Sequence, residues 1–198
     1  MHKKLSVALL LVVASNVAIA AEQRPYAFAT LGKSSYDGSS DSPIAIRVGG
    51  GYNFVELRGV KIGAEGAYID FGSAKSSSSV PFTTMNASVK TTGLMANAVA
   101  SYALPNVKGL SLMGKLGMLR ASSSGSVNTS TTFFGTTTTA SSSFSGTSTG
   151  VFFGFGVRYS ITSELDVIGT YEDYGTAVSN NGVSKGLTMI SAGAAYKF

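Results

Sequence analysis

The sequence ends in Gly186-Leu-Thr-Met-Ile-Ser-Ala-Gly-Ala-Ala-Tyr-Lys-Phe198. In steps of two back from the terminus, one set is Phe198, Tyr196, Ala194, Ala192 and Ile190, and the other is Lys197, Ala195, Gly193, Ser191 and Met189. A period of two belongs to a β-strand, here with one apolar face and one small or polar face. Soluble domains more often end in a frayed polar tail. A terminal aromatic on an alternating strand instead suits an anchor at a membrane interface, where aromatic girdles flank the apolar band of a transmembrane barrel. That reading requires partner strands upstream.

Seven earlier segments supply them. Residues 44–54 set Ile44, Ile46, Val48 and Tyr52 against Ala45, Arg47 and Asn53. Residues 150–161 set Val151, Phe153, Phe155, Val157, Tyr159 and Ile161 against Gly154, Gly156, Arg158 and Ser160. Residues 60–71, 93–104, 109–122 and 164–174 alternate in the same way. In residues 24–34 the register is open, because Tyr26 and Phe28 make one plausible face and Ala27, Ala29 and Leu31 the other. Each segment has roughly the length a tilted strand needs to cross a bilayer.

Alternation alone also fits a soluble β-sandwich, so the connections carry the distinction. Residues 55–59, 105–108 and 162–163 are short, whereas 35–43, 72–92, 121–149 and 175–185 are longer. Short turns at one end and long loops at the other mark an up-and-down outer-membrane barrel. The expectation is an all-β, eight-stranded antiparallel up-and-down transmembrane β-barrel. With the N-terminus periplasmic, four long loops face outside and Phe198 ends at the periplasmic rim. A ten-stranded alternative needs two more strands within 72–92 or 121–149.

The N-terminus gives an address. Lys3 and Lys4 precede an apolar run from Leu5 to Ala14, and Ala18-Ile19-Ala20 is a small-x-small cleavage pattern. This reads as a secretory signal peptide over residues 1–20, leaving one barrel domain over 21–198. Removing Lys3 and Lys4 from the 15 basic residues leaves 13 against 10 acidic ones, or +3, too mild and scattered for a nucleic-acid partner. Cysteine is absent, which excludes disulfide and thiol chemistry. Charged residues make up 13%, against about a quarter in soluble domains. After the signal peptide no apolar run reaches the length of a spanning helix.

At this point the chain resembles the OmpA/OmpX-type eight-stranded outer-membrane barrels. The resemblance rests on Val48-Gly-Gly-Gly-Tyr52, Gly63-Ala-Glu-Gly-Ala-Tyr-Ile-Asp-Phe-Gly72, Gly156-Val-Arg-Tyr159 and Gly193-Ala-Ala-Tyr-Lys-Phe198. It implies a Gram-negative outer membrane, surrounding membrane lipids, and recognition of the last strand, with Tyr196 and Phe198, by the barrel assembly machinery. No sequence follows Phe198 that would form the cell-wall-binding domain of larger family members, so a tethering role is not expected.

An eight-stranded barrel is just wide enough for side chains to fill it. The assigned faces turn Arg47, Lys61, Glu65, Lys115, Arg158, Asp166 and Glu172 inward, four cations against three anions. Counted from the tight turns, Arg47 falls almost opposite Glu65, and Arg158 almost opposite Asp166, where unlike charges can pair directly. One reading is a structural network that plugs the lumen; the other is a gate for a narrow conductance. Enclosed charges must be paired, and a balanced network in so narrow a bore favours the plug.

Enzymatic chemistry finds little support. The only histidine, His2, leaves with the signal peptide, so a serine nucleophile lacks its usual base and a transition-metal site lacks its usual ligands. No cofactor, metal or catalytic residue is expected. Gly109-Leu-Ser-Leu-Met-Gly-Lys115 matches most of a phosphate-binding loop, but Leu116 stands where Ser or Thr is required and the segment alternates as a strand.

Residues 121–150 contain 19 Ser or Thr in 30 positions, and no charge occurs between Arg120 and Arg158. This stretch is either a solvated hairpin or, by its Thr content, a ribbon that extends two strands above the membrane. An exposed ribbon edge can recruit a partner by strand addition. The leading functional expectation is a monomeric, non-enzymatic barrel with a structural or adhesion-like role toward host-surface or extracellular ligands. The alternative is a narrow channel for ions or small solutes.

Overall fold

A computed structural model describes residues 24–37, 41–175, 178–180 and 183–198. The proposed signal peptide, residues 1–20, lies outside the described residues. The strands are β1 (Pro25–Tyr36), β2 (Ile44–Leu57), β3 (Val60–Val80), β4 (Thr83–Ala103), β5 (Leu110–Phe133), β6 (Thr136–Ser160), β7 (Leu165–Asp173), β8 (Val178–Asn180), β9 (Val183–Lys185) and β10 (Leu187–Lys197). Eight of them close into a ring in the order β1-β10-β7-β6-β5-β4-β3-β2, with every neighbour antiparallel. Strands β8 and β9 pair only with each other. Closure removes the open sheet edges that a membrane interior does not tolerate.

The ring closes where the last strand meets the first. β10 pairs with β1 from Tyr26↔Lys197 to Tyr36↔Leu187. This pairing settles the open register of β1. Tyr26, Phe28, Thr30, Ser34 and Tyr36 are buried in the lumen, and Leu31 faces outward. Volume decides the choice. Gly51 and Gly49 stand opposite Tyr26 and Phe28, and a Cβ built on Gly49 would lie 2.8 Å from Cζ of Phe28. Aromatic rings on β1 therefore use lumenal space that β2 leaves empty.

Elsewhere the expected faces hold. Ile44, Ile46, Val48 and Tyr52 on β2 are exposed on the outside of the barrel, as are Leu94, Leu116, Val151, Phe153, Phe155, Val167 and Ile190 on other strands. Phe71, Phe152 and Tyr174 pack edge-on or tilted at 5.0 and 5.1 Å inside. With Ile69, Leu119 and Leu187, also buried, they fill the end of the lumen opposite the chain termini.

Two of the long connections are strands. β3 and β4 stay paired to Val80↔Thr83, and β5 and β6 to Phe133↔Thr136. β4 and β5 also pair out to Thr83↔Thr131. Residues 72–92 and 121–149 thus extend four existing barrel strands and add none to the ring. From Arg120 to Phe133, at about 3.3 Å per residue, the extension is on the order of 40 Å long.

Two-residue turns close both ribbons. Phe134 and Gly135 have φ of 48° and 79°, the double positive φ of a type I′ hairpin. At the other tip, Phe82 follows Pro81 with φ of 69°. A side chain in this region costs roughly 1–2 kcal/mol, which is why glycine or asparagine usually stands there.

A ring closed in this way should resist detergent until heated. Unheated and boiled samples are expected to migrate differently on an SDS gel, and identical mobility would speak against the closed barrel.

Candidate functional site

The lumenal charges form one connected chain. Arg47 on β2 is fully buried and ion-paired with Glu172 on β7, through Nη1 and Oε1. Glu172 Oε1 lies 3.6 Å from Lys115 Nζ on β5, which reaches Glu65 Oε2 on β3 at 2.7 Å. Glu65 Oε1 faces Arg158 Nη2 at 3.9 Å, and Arg158 Nε lies 3.8 Å from Asp166 Oδ2. Lys197 on the terminal strand completes the series, with its Nζ 2.8 Å from Asp166 Oδ1. Cations and anions alternate along the whole chain, so each carboxylate touches two cations.

Neutral groups fill out the shell. Tyr26 donates its hydroxyl to Glu65 Oε1 at 2.8 Å, and Asn97 Nδ2 donates to Glu65 Oε2 at 3.2 Å. Tyr174 donates to Glu172 Oε2 at 2.8 Å. The guanidinium carbons of Arg47 and Arg158 lie 5.3 and 4.9 Å from the ring centres of Phe28 and Tyr26, and Lys115 Nζ is 5.6 Å from Phe28. The aromatic faces inside β1 thus contribute cation–π attraction as well as bulk.

Of the seven charges expected inside, six are buried there: Arg47, Glu65, Lys115, Arg158, Asp166 and Glu172. Lys61 is the correction. Its side chain is 42% exposed at the rim and lies 3.9 Å from Glu56 on β2. Two expected pairings also change. Arg47 stands opposite Ile69, four register pairs from the Gly51↔Glu65 pair, and finds Glu172 across the lumen. Asp166 pairs in register with Ser160, which leaves Arg158 as its diagonal neighbour. Lys197 was missed, although alternation had placed it on the polar face of the last strand. Tyr196 and Phe198 lie outward at the rim with ring centres 5.3 Å apart, and Tyr196 donates to Glu164 Oε2 at 3.3 Å. Lys115 lies within β5, so the segment resembling a phosphate loop is a strand.

A second candidate surface is the projecting part of β3–β6. Hydroxyls meet across its strands: Thr91 with Ser123 at 3.0 Å, Thr83 with Thr131 at 3.2 Å and Thr132 with Thr137 at 3.0 Å. Its two edges differ. The β3 edge has a register shift between Asp70 and Ser73, with Lys75 exposed and its backbone N–H donating to Asp41 Oδ2 at 2.9 Å. Pro81 ends it. The β6 edge over residues 136–150 carries no charge and no proline, and β8 lies beside part of it. At the tip, Phe82, Phe133 and Phe134 cluster edge to face, and Phe134 is 94% exposed.

Residues 5–198 match the model of the outer membrane protein beta-barrel domain family. The chain belongs to this family. No curated protein sequence matches it. Among solved structures this outer-membrane barrel is similar to Neisserial surface protein A, at 17% identity and a TM-score of 0.51, over 89% of this chain and 97% of that one. It is also similar to Ail, the attachment invasion locus protein of Yersinia pestis, at 17% identity and a TM-score of 0.50, over 89% and 97%. At such identity the likeness concerns the fold. Family and fold together place the chain among outer-membrane barrels of Gram-negative bacteria. Among the described residues no group of three His, Cys, Asp or Glu side chains is arranged to hold a metal.

Proposed function

We propose that this barrel is a non-enzymatic surface-interaction protein whose contact element is the projecting β3–β6 sheet. The observation that carries the reading is a paired sheet, on the order of 40 Å beyond the ring, with an uncharged β6 edge and an aromatic tip. An uncharged, proline-free edge lacks the devices that prevent strand addition, and the β3 edge has them. Backbone strain gathered at exposed phenylalanines points the same way, because strained positions cluster where a ligand is gripped. In this reading both termini are periplasmic, the four long connections lie outside, residues 1–20 are removed on export, and the assembly machinery engages Tyr196 and Phe198. The buried charge chain acts as a structural plug, which weighs against a conducting pore.

The test shortens the β5–β6 ribbon by deleting residues 126–143 and joining the strands through Asn-Gly. Bacteria displaying this variant are expected to adhere to a cultured epithelial monolayer at background level, with unchanged heat-dependent gel mobility. Undiminished adhesion would remove the sheet from the function.

A further inference from the structure

Charge is nearly absent from the outer wall of the barrel until the end opposite the termini. There, cross-strand register assembles two adjacent rows on the lipid side. Tyr68, Leu94 and Arg120 form one, and Thr92, Ser122 and Thr147 form the next. Together they line a concave site of about 340 Å³. The row on the midplane side is Gly66, Ala96, Met118 and Val151, so the apolar wall begins directly beneath.

Arg120 has no carboxylate partner among the described residues. The acid nearest along the wall, Asp70 beside Thr92, is held by Lys90 at 3.1 Å and accepts from Gly72 N–H at 2.9 Å. The groove therefore keeps one net positive charge, at the level where the apolar outer wall ends. An arginine there is costly without an anion, and its planar fork matches phosphate through two parallel N–H···O bonds. Three hydroxyls in the next row suit a sugar ring, while Leu94 and the ring of Tyr68 offer apolar contact to an acyl chain.

We propose that this groove seats the phosphorylated sugar headgroup of an acylated membrane lipid, with Arg120 on the phosphate. If the long connections face outside, as proposed above, the lipid belongs to the outer leaflet.

The test refolds the chain into phosphatidylcholine nanodiscs doped with bis-phosphorylated lipid A, or with its dephosphorylated form. Lipid retained after transfer to detergent is then counted by native mass spectrometry. The phosphorylated lipid should be retained at least tenfold better than the dephosphorylated one, the scale of one lost charge-assisted bond. Arg120→Gln should abolish the difference, Arg120→Lys should restore part of it, and Lys33→Gln should leave it intact. Equal retention of both lipids, or no effect of Arg120→Gln, would overturn the site. Nanodiscs present the lipid on both leaflets, so an inverted barrel would still pass. Orientation is read separately, by protease access to the projecting sheet on whole cells.

Discussion

Glu172→Gln is expected to destabilise the folded barrel by about 3–5 kcal/mol, the usual cost of stranding a buried charge. Glu172 is fully buried and is the carboxylate that holds Arg47, which is also fully buried. It also balances Lys115 at 3.6 Å. Glutamine keeps the shape and loses the charge, so the deficit falls on Arg47, whose Nε already lacks a hydrogen-bond partner. Urea titration of the barrel refolded in lipid vesicles measures the change. Replacing both partners, Arg47→Leu with Glu172→Leu, should recover more than half of the loss, because the apolar pair strands no charge and Lys115 keeps Glu65 at 2.7 Å. Lys61→Gln is the control. With a 42% exposed side chain 3.9 Å from its partner, it should change stability by less than about 0.5 kcal/mol. A Glu172→Gln variant within about 1 kcal/mol of the parent would mean that the charge chain does not hold the lumen together.

The same residues explain what the sequence could and could not say. A strand's two faces follow from a period of two, so six of the seven inward charges could be read directly. Their partners could not. The pairing of Arg47 with Glu172 spans 125 positions and crosses the lumen, set by the stagger of all eight strands and not by any one turn. Counting from the turn between β2 and β3 also missed the register shift between Asn53 and Val55, which alters which residues stand opposite. Lys61 failed for a related reason: a strand's polar face runs on past the lumen to the rim, where Glu56 competes for the cation. In β1 both faces are apolar, and only the glycines opposite Tyr26 and Phe28 separate them. The projecting ribbons were hard to see because Ser and Thr occupy both faces, leaving no hydropathic alternation to detect. Their order comes from pairing with barrel strands already in register, together with cross-strand hydroxyl contacts.

The aromatic tip can be separated from the sheet edge by experiment, and the larger effect is expected at the tip. Replacing Phe82, Phe133 and Phe134 together by serine should reduce adhesion to the epithelial monolayer by at least a hundredfold. Burying one phenylalanine is worth about 1.5–3 kcal/mol, so three rings exceed the 2.8 kcal/mol or so that a hundredfold represents. The barrel's unfolding temperature should stay put, because these side chains are exposed at the ribbon tips, beyond the barrel's core. Serine also leaves the left-handed backbone at positions 82 and 134 no more comfortable, so any loss of binding cannot be credited to a relaxed turn. A companion variant places lysines on the uncharged β6 edge, Thr138→Lys and Ser142→Lys, which blocks strand addition and leaves the rings in place. Loss of adhesion in the serine variant alone would assign contact to the tip, and loss in the lysine variant alone to strand addition along β6. Full adhesion by both would show that the projecting sheet is not the contact element, whatever the fold around it.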